Sequence, residues 1–174
     1  EVMLADAYET RGRILIKLQE LEKAEVSLRT SLKTYNKFYE EDHPEFDSTF
    51  FGRFAVSYWQ LSMSKRNQEN YEEALSLLNY AMDFGLHTGR EDFYYRLVED
   101  QSWILFKTDR ELLATRLCDE GIAKYENAEE KPFESGIYFG LLMQRAVVLV
   151  WAEHWEKTLE TIEKIKAIDD YLVP

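Results

Sequence analysis

The side chains of this chain that are capable of chemistry on their own are few and scattered. Its three histidines, His43, His87 and His154, each fall at a separate break in the hydrophobic pattern, not paired at a metal-ligand spacing. Cys118 occupies an apolar stripe position, where a thiol behaves as a small buried hydrophobe. The acid pairs Glu40/Glu41, Glu72/Glu73 and Glu129/Glu130 fall at caps and joints, where helix dipoles favour negative charge. That is solvated structure, not acid–base machinery. The chain holds no His-Glu-x-x-His, no phosphate-binding glycine loop and no glycine-flanked serine elbow. The expectation is a protein that is not an enzyme and needs neither metal nor cofactor.

The 174 residues are 45% hydrophobic, with 4 Trp, 11 Tyr and 10 Phe, which is ample core material and argues against disorder. Only 3 Pro and 7 Gly leave little for turns, so long helices with short joints fit best. A net charge of −12 repels phosphate backbones and anionic lipid, so neither nucleic acid nor a membrane surface is the expected partner. The same excess of acid keeps a helical surface dispersed in water. One cysteine makes no internal disulfide, and the expected location is cytoplasmic. The apolar run 137–152 is interrupted by Gln144 and Arg145 and is too short to cross a bilayer. The chain begins at Glu1 without Met and reads as part of a larger protein.

Apolar residues at three- and four-residue steps place the elements. The clearest stretch is 70–81, where Tyr71, Ala74, Leu75, Leu78 and Ala81 form one stripe in which small and large residues alternate. Asn70 with Glu73 has capping-box spacing. A first helix is expected over 4–18, with Gly12 at its middle. Glycine there costs about 1 kcal/mol against alanine and demands a packing reason. Breaks follow at Gln19-Glu20, at 40–44 with Pro44 near a helix start, at 66–69, at 129–132 and at Glu153-His154. Thr88 and Thr108 each stand three residues before a Glu and are expected to open helices as capping boxes. The result is about eight antiparallel helices in four hairpins, over approximately 4–40, 44–86, 90–127 and 132–172 within one domain spanning 1–174. The small position in each second helix is Ala24, Ala74, Ala114 and Thr158, at steps of 50, 40 and 44 residues.

Tyr8, Gly12, Leu21, Ala24, Leu28 and Leu32 resemble a tetratricopeptide (TPR) repeat, as do Tyr58, Leu61, Tyr71, Ala74, Leu78 and Ala81. Two degenerate copies follow, around Ala114 and around Thr158. The steps exceed the usual period of about 34 residues. This long, uneven spacing is similar to the arrays of bacterial Rap- and Rgg-type peptide receptors and signal-transduction activators. The resemblance implies an all-α, right-handed solenoid that binds a protein or peptide without catalysis, within a bacterial regulatory protein.

In that family the first helix of each pair lines the concave surface. The resemblance carries this role onto Arg13, Trp59, Gln60, Met63, Arg96, Glu99, Trp103, Met143 and Gln144, with Asp6, Glu9, Thr10, Lys17, Val56, Arg66, Asp100, Phe106, Lys107, Gly140, Val147 and Trp151 beside them. Large apolar residues among polar ones at these positions resemble a binding hot spot, with Trp59 and Trp103 as anchors. Burial of the same residues between neighbouring helices is the competing reading. The last helix carries an apolar face including Trp155, Leu159, Ile162, Ile165 and Ile168, broader than one neighbour covers. Further helices, a homodimer or a docked partner would cover it, and an assembly domain is the alternative function.

Overall fold

The computed structural model describes residues 2–40, 48–88, 91–129 and 135–172. These form eight α-helices: α1 (Val2–Lys17), α2 (Leu21–Glu40), α3 (Ser48–Asn67), α4 (Tyr71–Leu86), α5 (Glu91–Lys107), α6 (Glu111–Asn127), α7 (Ser135–Trp151) and α8 (Trp155–Leu172). Among the described residues there is no strand. Pro44, His43 and most of the joints assigned to 40–44 and 129–132 lie outside the described residues.

The four hairpin turns are copies of one device. Gln19, Glu69, Asp109 and Glu153 each take a left-handed backbone, with φ of 60°, 60°, 56° and 57°. In every case the next residue donates its N–H over 2.9 Å to a carbonyl five residues back: Glu20 to Leu15, Asn70 to Lys65, Arg110 to Leu105 and His154 to Leu149. This closes the first helix with a Schellman-type cap and launches the second. The small residues Ala24, Ala74, Ala114 and Thr158 each lie five positions beyond the turn residue, and all four are buried. The steps of 50, 40 and 44 are thus the spacing of the turns themselves.

Two of the expected capping boxes, at Asn70 and at Thr108, are not formed. Thr108 donates its hydroxyl to the carbonyls of Ile104 and Leu105, finishing α5, and Arg110 stands at the N-cap of α6. Thr88 likewise donates back to Gly85, while Gly89 and Arg90 of that motif lie outside the described residues. Asn70 makes no side-chain cap bond; its amide instead donates to the Glu73 carboxylate at 2.8 Å. Tight turns leave threonine a nearer acceptor in the preceding helix than any donor in the next.

By their contacts the helices fall into two compact units, residues 1–90 and 91–174, each holding two hairpins. In the first, α1 and α2 pack closely, as do α3 and α4, with α2 against α3. Tyr35 is central there, edge-on to Phe50 at 6.2 Å and tilted to Phe54 at 5.7 Å, while Phe54 stacks on Phe84 at 4.8 Å. Asp6 accepts hydrogen bonds from the Tyr35 hydroxyl and the Arg53 guanidinium, tying α1, α2 and α3 together. In the second unit α7 packs against α5, α6 and α8. Gly121 of α6 leaves room for Val98 and Leu141, and Tyr125 stacks on Tyr138 at 4.7 Å.

Candidate functional site

In the second unit, the neighbouring first helices α5 and α7 and the α5–α6 turn enclose a cleft of about 450 Å³. Helical spacing brings Trp103, Phe106 and Lys107 of α5 to one side and Val147 and Trp151 of α7 to the other, with Asp109 and Glu111 at the turn. Phe106 and Trp151 meet with ring centroids 6.0 Å apart. The Lys107 ammonium lies 5.5 Å from the Trp103 ring and 5.9 Å from Phe106, within cation–π range. Trp151 is 71% exposed, an unusual placement for the largest apolar side chain. The cleft thus offers π faces, one cation and two rim carboxylates. That chemistry suits an apolar or aromatic side chain flanked by a basic group.

The residues singled out from the sequence meet different fates. Trp103 lines this cleft, and Met143 is well exposed on α7. Glu99 presses its carboxylate against Gly140, where an added Cβ would lie 2.9 Å from Oε2, so it holds α5 to α7. Gln144 is partly buried, and its amide nitrogen has no hydrogen-bond partner among the described residues. Arg96 is exposed. In the first unit Arg13 is exposed and Trp59 partly buried, whereas Gln60 is buried and Met63 packs on the core. Gln60 is thus a packed residue of α3, and Met63 is partly so. Ile162, Ile165 and Ile168 are each partly buried on α8.

A second cleft, of about 810 Å³, belongs to the first unit and was not anticipated. Arg29, Lys33 and Lys37 line it from α2 above an apolar floor of Leu32, Tyr58, Leu61 and Leu77. The signal was present in the sequence as cations at four-residue steps. Beside it Lys65, nearly buried, is held by Glu25 at 2.8 Å and Glu73 at 3.1 Å, and Arg29 bridges the same two carboxylates at 2.8 and 2.6 Å. Burial works against the Lys65 charge, but its two acids outweigh it and hold its pKa above the ordinary lysine value.

Cys118 is fully buried, and burial pushes its thiol up to about 11, which makes it a poor nucleophile. His154 is exposed beside the α7–α8 turn, and His87 stacks near Phe51 with its Nδ1 2.8 Å from the Asp83 carbonyl. Among the described residues no three His, Cys, Asp or Glu side chains gather to hold a metal ion, and no helix is long and apolar enough to cross a membrane.

Repeated left-handed turns, small residues at a fixed offset and paired antiparallel helices define the fold as TPR-like. Solved structures share it. A candidate kinesin light chain of Podosopora anserina with nearly identical TPR-like repeats superposes with a TM-score of 0.74 at 13% identity, over 97% of this chain and 76% of that one. A single-substitution form of the protein gives a TM-score of 0.77 at 14% identity, with the same coverage. No family model and no curated protein matches the sequence.

Proposed function

We propose that this chain is a non-catalytic scaffold that captures a segment of another protein or a peptide. The observation that supports the reading best is the α5–α7 cleft, where the exposed Trp151 faces Phe106 and Lys107 rides over Trp103. Exposed tryptophan beside a fixed cation and aromatic walls is the composition of a binding hot spot. The fold supports the reading independently, since stacked helix hairpins build binding surfaces from equivalent positions of successive repeats. In the cleft the equivalent pairs are Trp103 with Val147 and Lys107 with Trp151, each 44 residues apart. Arg13 and Trp59 are a separate set of positions for the same role in the first unit, and Arg96, Met143 and Gln144 border the role in the second.

The expected ligand is a segment with an apolar or aromatic anchor next to a lysine or arginine, drawn in by Asp109, Glu111 and the net charge of −12. The long, uneven spacing of the repeats supports a setting within a bacterial regulator, and the single cysteine supports one inside the cell. The test is an unbiased capture of partners by the chain, followed by calorimetric titration of the captured protein against Trp103→Ala and Trp151→Ala. Loss of about 2 kcal/mol in either variant fits an anchor. Unchanged affinity in both would overturn the cleft as the site.

A further inference from the structure

We propose that the cleft of the first unit binds a small free molecule with an apolar body and one carboxylate, in the manner of a fatty acid. Lys33 and Asn36 hold its head, and its body lies along the floor of the cleft. The inference does not depend on the aromatic cleft of the second unit.

Nine of the ten described lining residues come from α2, α3 and α4, and Leu4 of α1 is the tenth. The hollow is therefore made between hairpins of one unit and is not an outer face of the first or last helix. Its volume of about 810 Å³ falls in the range of small-molecule pockets, about 300–1,000 Å³, and so does its make-up of an apolar floor with a few polar groups. The floor is recessed: Leu32, Leu61 and Leu77 are all buried. Tyr58 is kept in place by Tyr80, stacked 5.2 Å away. A narrow apolar body reaches such a floor more readily than a helix bearing its own side chains. A protein segment also needs about 800 Å² on its side of a stable interface.

The polar side of the cleft decides the head group. Arg29, Lys33 and Lys37 follow one another along α2 at steps of four residues, about 6 Å apart along the axis. Arg29 is committed to Glu25 and Glu73, which also hold Lys65. The Thr34 hydroxyl donates to the Thr30 carbonyl at 2.9 Å. Lys33 is exposed and Asn36 partly buried, and among the described residues neither has a hydrogen-bond or ion-pair partner. Three residues apart on a helix, they are neighbours on one face. An ammonium and an amide nitrogen so placed can donate to the two oxygens of one carboxylate. One unpartnered ammonium balances one negative charge, which favours a monocarboxylate over a dianionic phosphate. With a net charge of −12 the chain repels an anionic bilayer, so the ligand is a free molecule. Burial of the apolar body supplies most of the affinity, and the exposed ion pair selects the sign of the head.

Titration of the ¹⁵N-labelled chain with octanoate, followed by amide chemical shifts, tests this. Saturable shifts are expected, centred on residues 32–37 of α2 and on Tyr58, Leu61 and Leu77. Octanol and octyltrimethylammonium, which keep the chain length and change the head, should bind at least several-fold more weakly. Lys33→Glu, at an exposed position, should weaken octanoate about tenfold, and Lys33→Arg should retain it. Lys23→Glu makes the same charge change on α2 outside the cleft and should have little effect. No saturable shift at these residues would overturn the proposal. So would octanol binding as tightly as octanoate, which makes the cleft an apolar hollow without head-group recognition, or octanoate binding untouched by Lys33→Glu. Saturable binding of a synthetic peptide of alternating Leu and Glu, with none of octanoate, would likewise overturn it and make the cleft a groove for a protein segment.

Discussion

Leu28 occupies the space where a side chain at position 12 would go. A Cβ on Gly12 would lie 2.5 Å from Leu28 Cγ and 2.7 Å from Cδ2, and Leu28 is fully buried. This supplies the packing reason that a glycine in the middle of α1 demands. Gly12→Ala gains about 1 kcal/mol of helix propensity but overpacks the α1–α2 contact by about 1–3 kcal/mol. The expected net is a loss of about 1 kcal/mol in urea unfolding. Gly136→Ala, where nothing lies within 4 Å, is the control and should not destabilise.

Trp151→Ala should leave stability within about 0.5 kcal/mol, because the ring is mostly exposed and touches mainly Phe106. A larger fall in the chemical-denaturation midpoint would mean that Trp151 is core. Any loss of partner affinity in this variant can then be assigned to the cleft.

Lys65→Met removes the cation between Glu25 and Glu73 and leaves two partly buried carboxylates bridged by Arg29 alone. A loss of about 2 kcal/mol is expected, since stranding a buried charge costs more than the pair contributed. Lys23→Met breaks only an exposed pair with Glu20 and should change stability by less than about 0.5 kcal/mol. Equal effects in the two thermal melts would contradict the burial of Lys65.

Two carboxylates give opposite pH dependence. For Glu25, burial opposes ionisation, but the hydrogen bonds and charges of Lys65 and Arg29 outweigh it and hold the pKa below 4.5. Its stabilisation is present above that value and lost as pH falls through the folded pKa. Glu25→Gln should therefore weaken the protein at neutral pH and match wild type in acid. For Glu9, burial raises the pKa against the pull of Arg13, helped by Asp6. Ionising it costs stability as pH rises through the folded pKa, so Glu9→Gln should be the more stable chain at neutral pH, with the advantage gone below about pH 4.5. Denaturation midpoints across this range separate the two.

Cys118 should react with thiol reagents only when the second unit opens. It is buried in α6, and a thiol pushed up to about 11 is almost wholly protonated at neutral pH. Labelling of the native chain is expected to be slower than that of the denatured chain by orders of magnitude, and to speed up with denaturant in step with loss of helix. Fast native labelling would refute the placement of α6.

Spacing along the chain determined that there are four hairpins, where each turns, and which residue in each second helix is small. Those features are local: a turn interrupts a 3.6-residue stripe, and a crossing needs a residue without bulk, so both leave marks within a few positions. The capping box expected at Thr108 did not form because Thr108 has competing acceptors in the helix it ends, and only the folded turn sets which is nearer. The site was legible in part. Trp103 was marked by size on an otherwise polar face, but that Trp151 and Phe106 come together across two helices, or that Gln60 is shut away, depends on which neighbour covers which face. A stripe fixes a side chain's angle around its own helix and carries no information about the helix opposite. Hence the sequence determined the repeat, and tertiary packing alone decided which of its surfaces are left open.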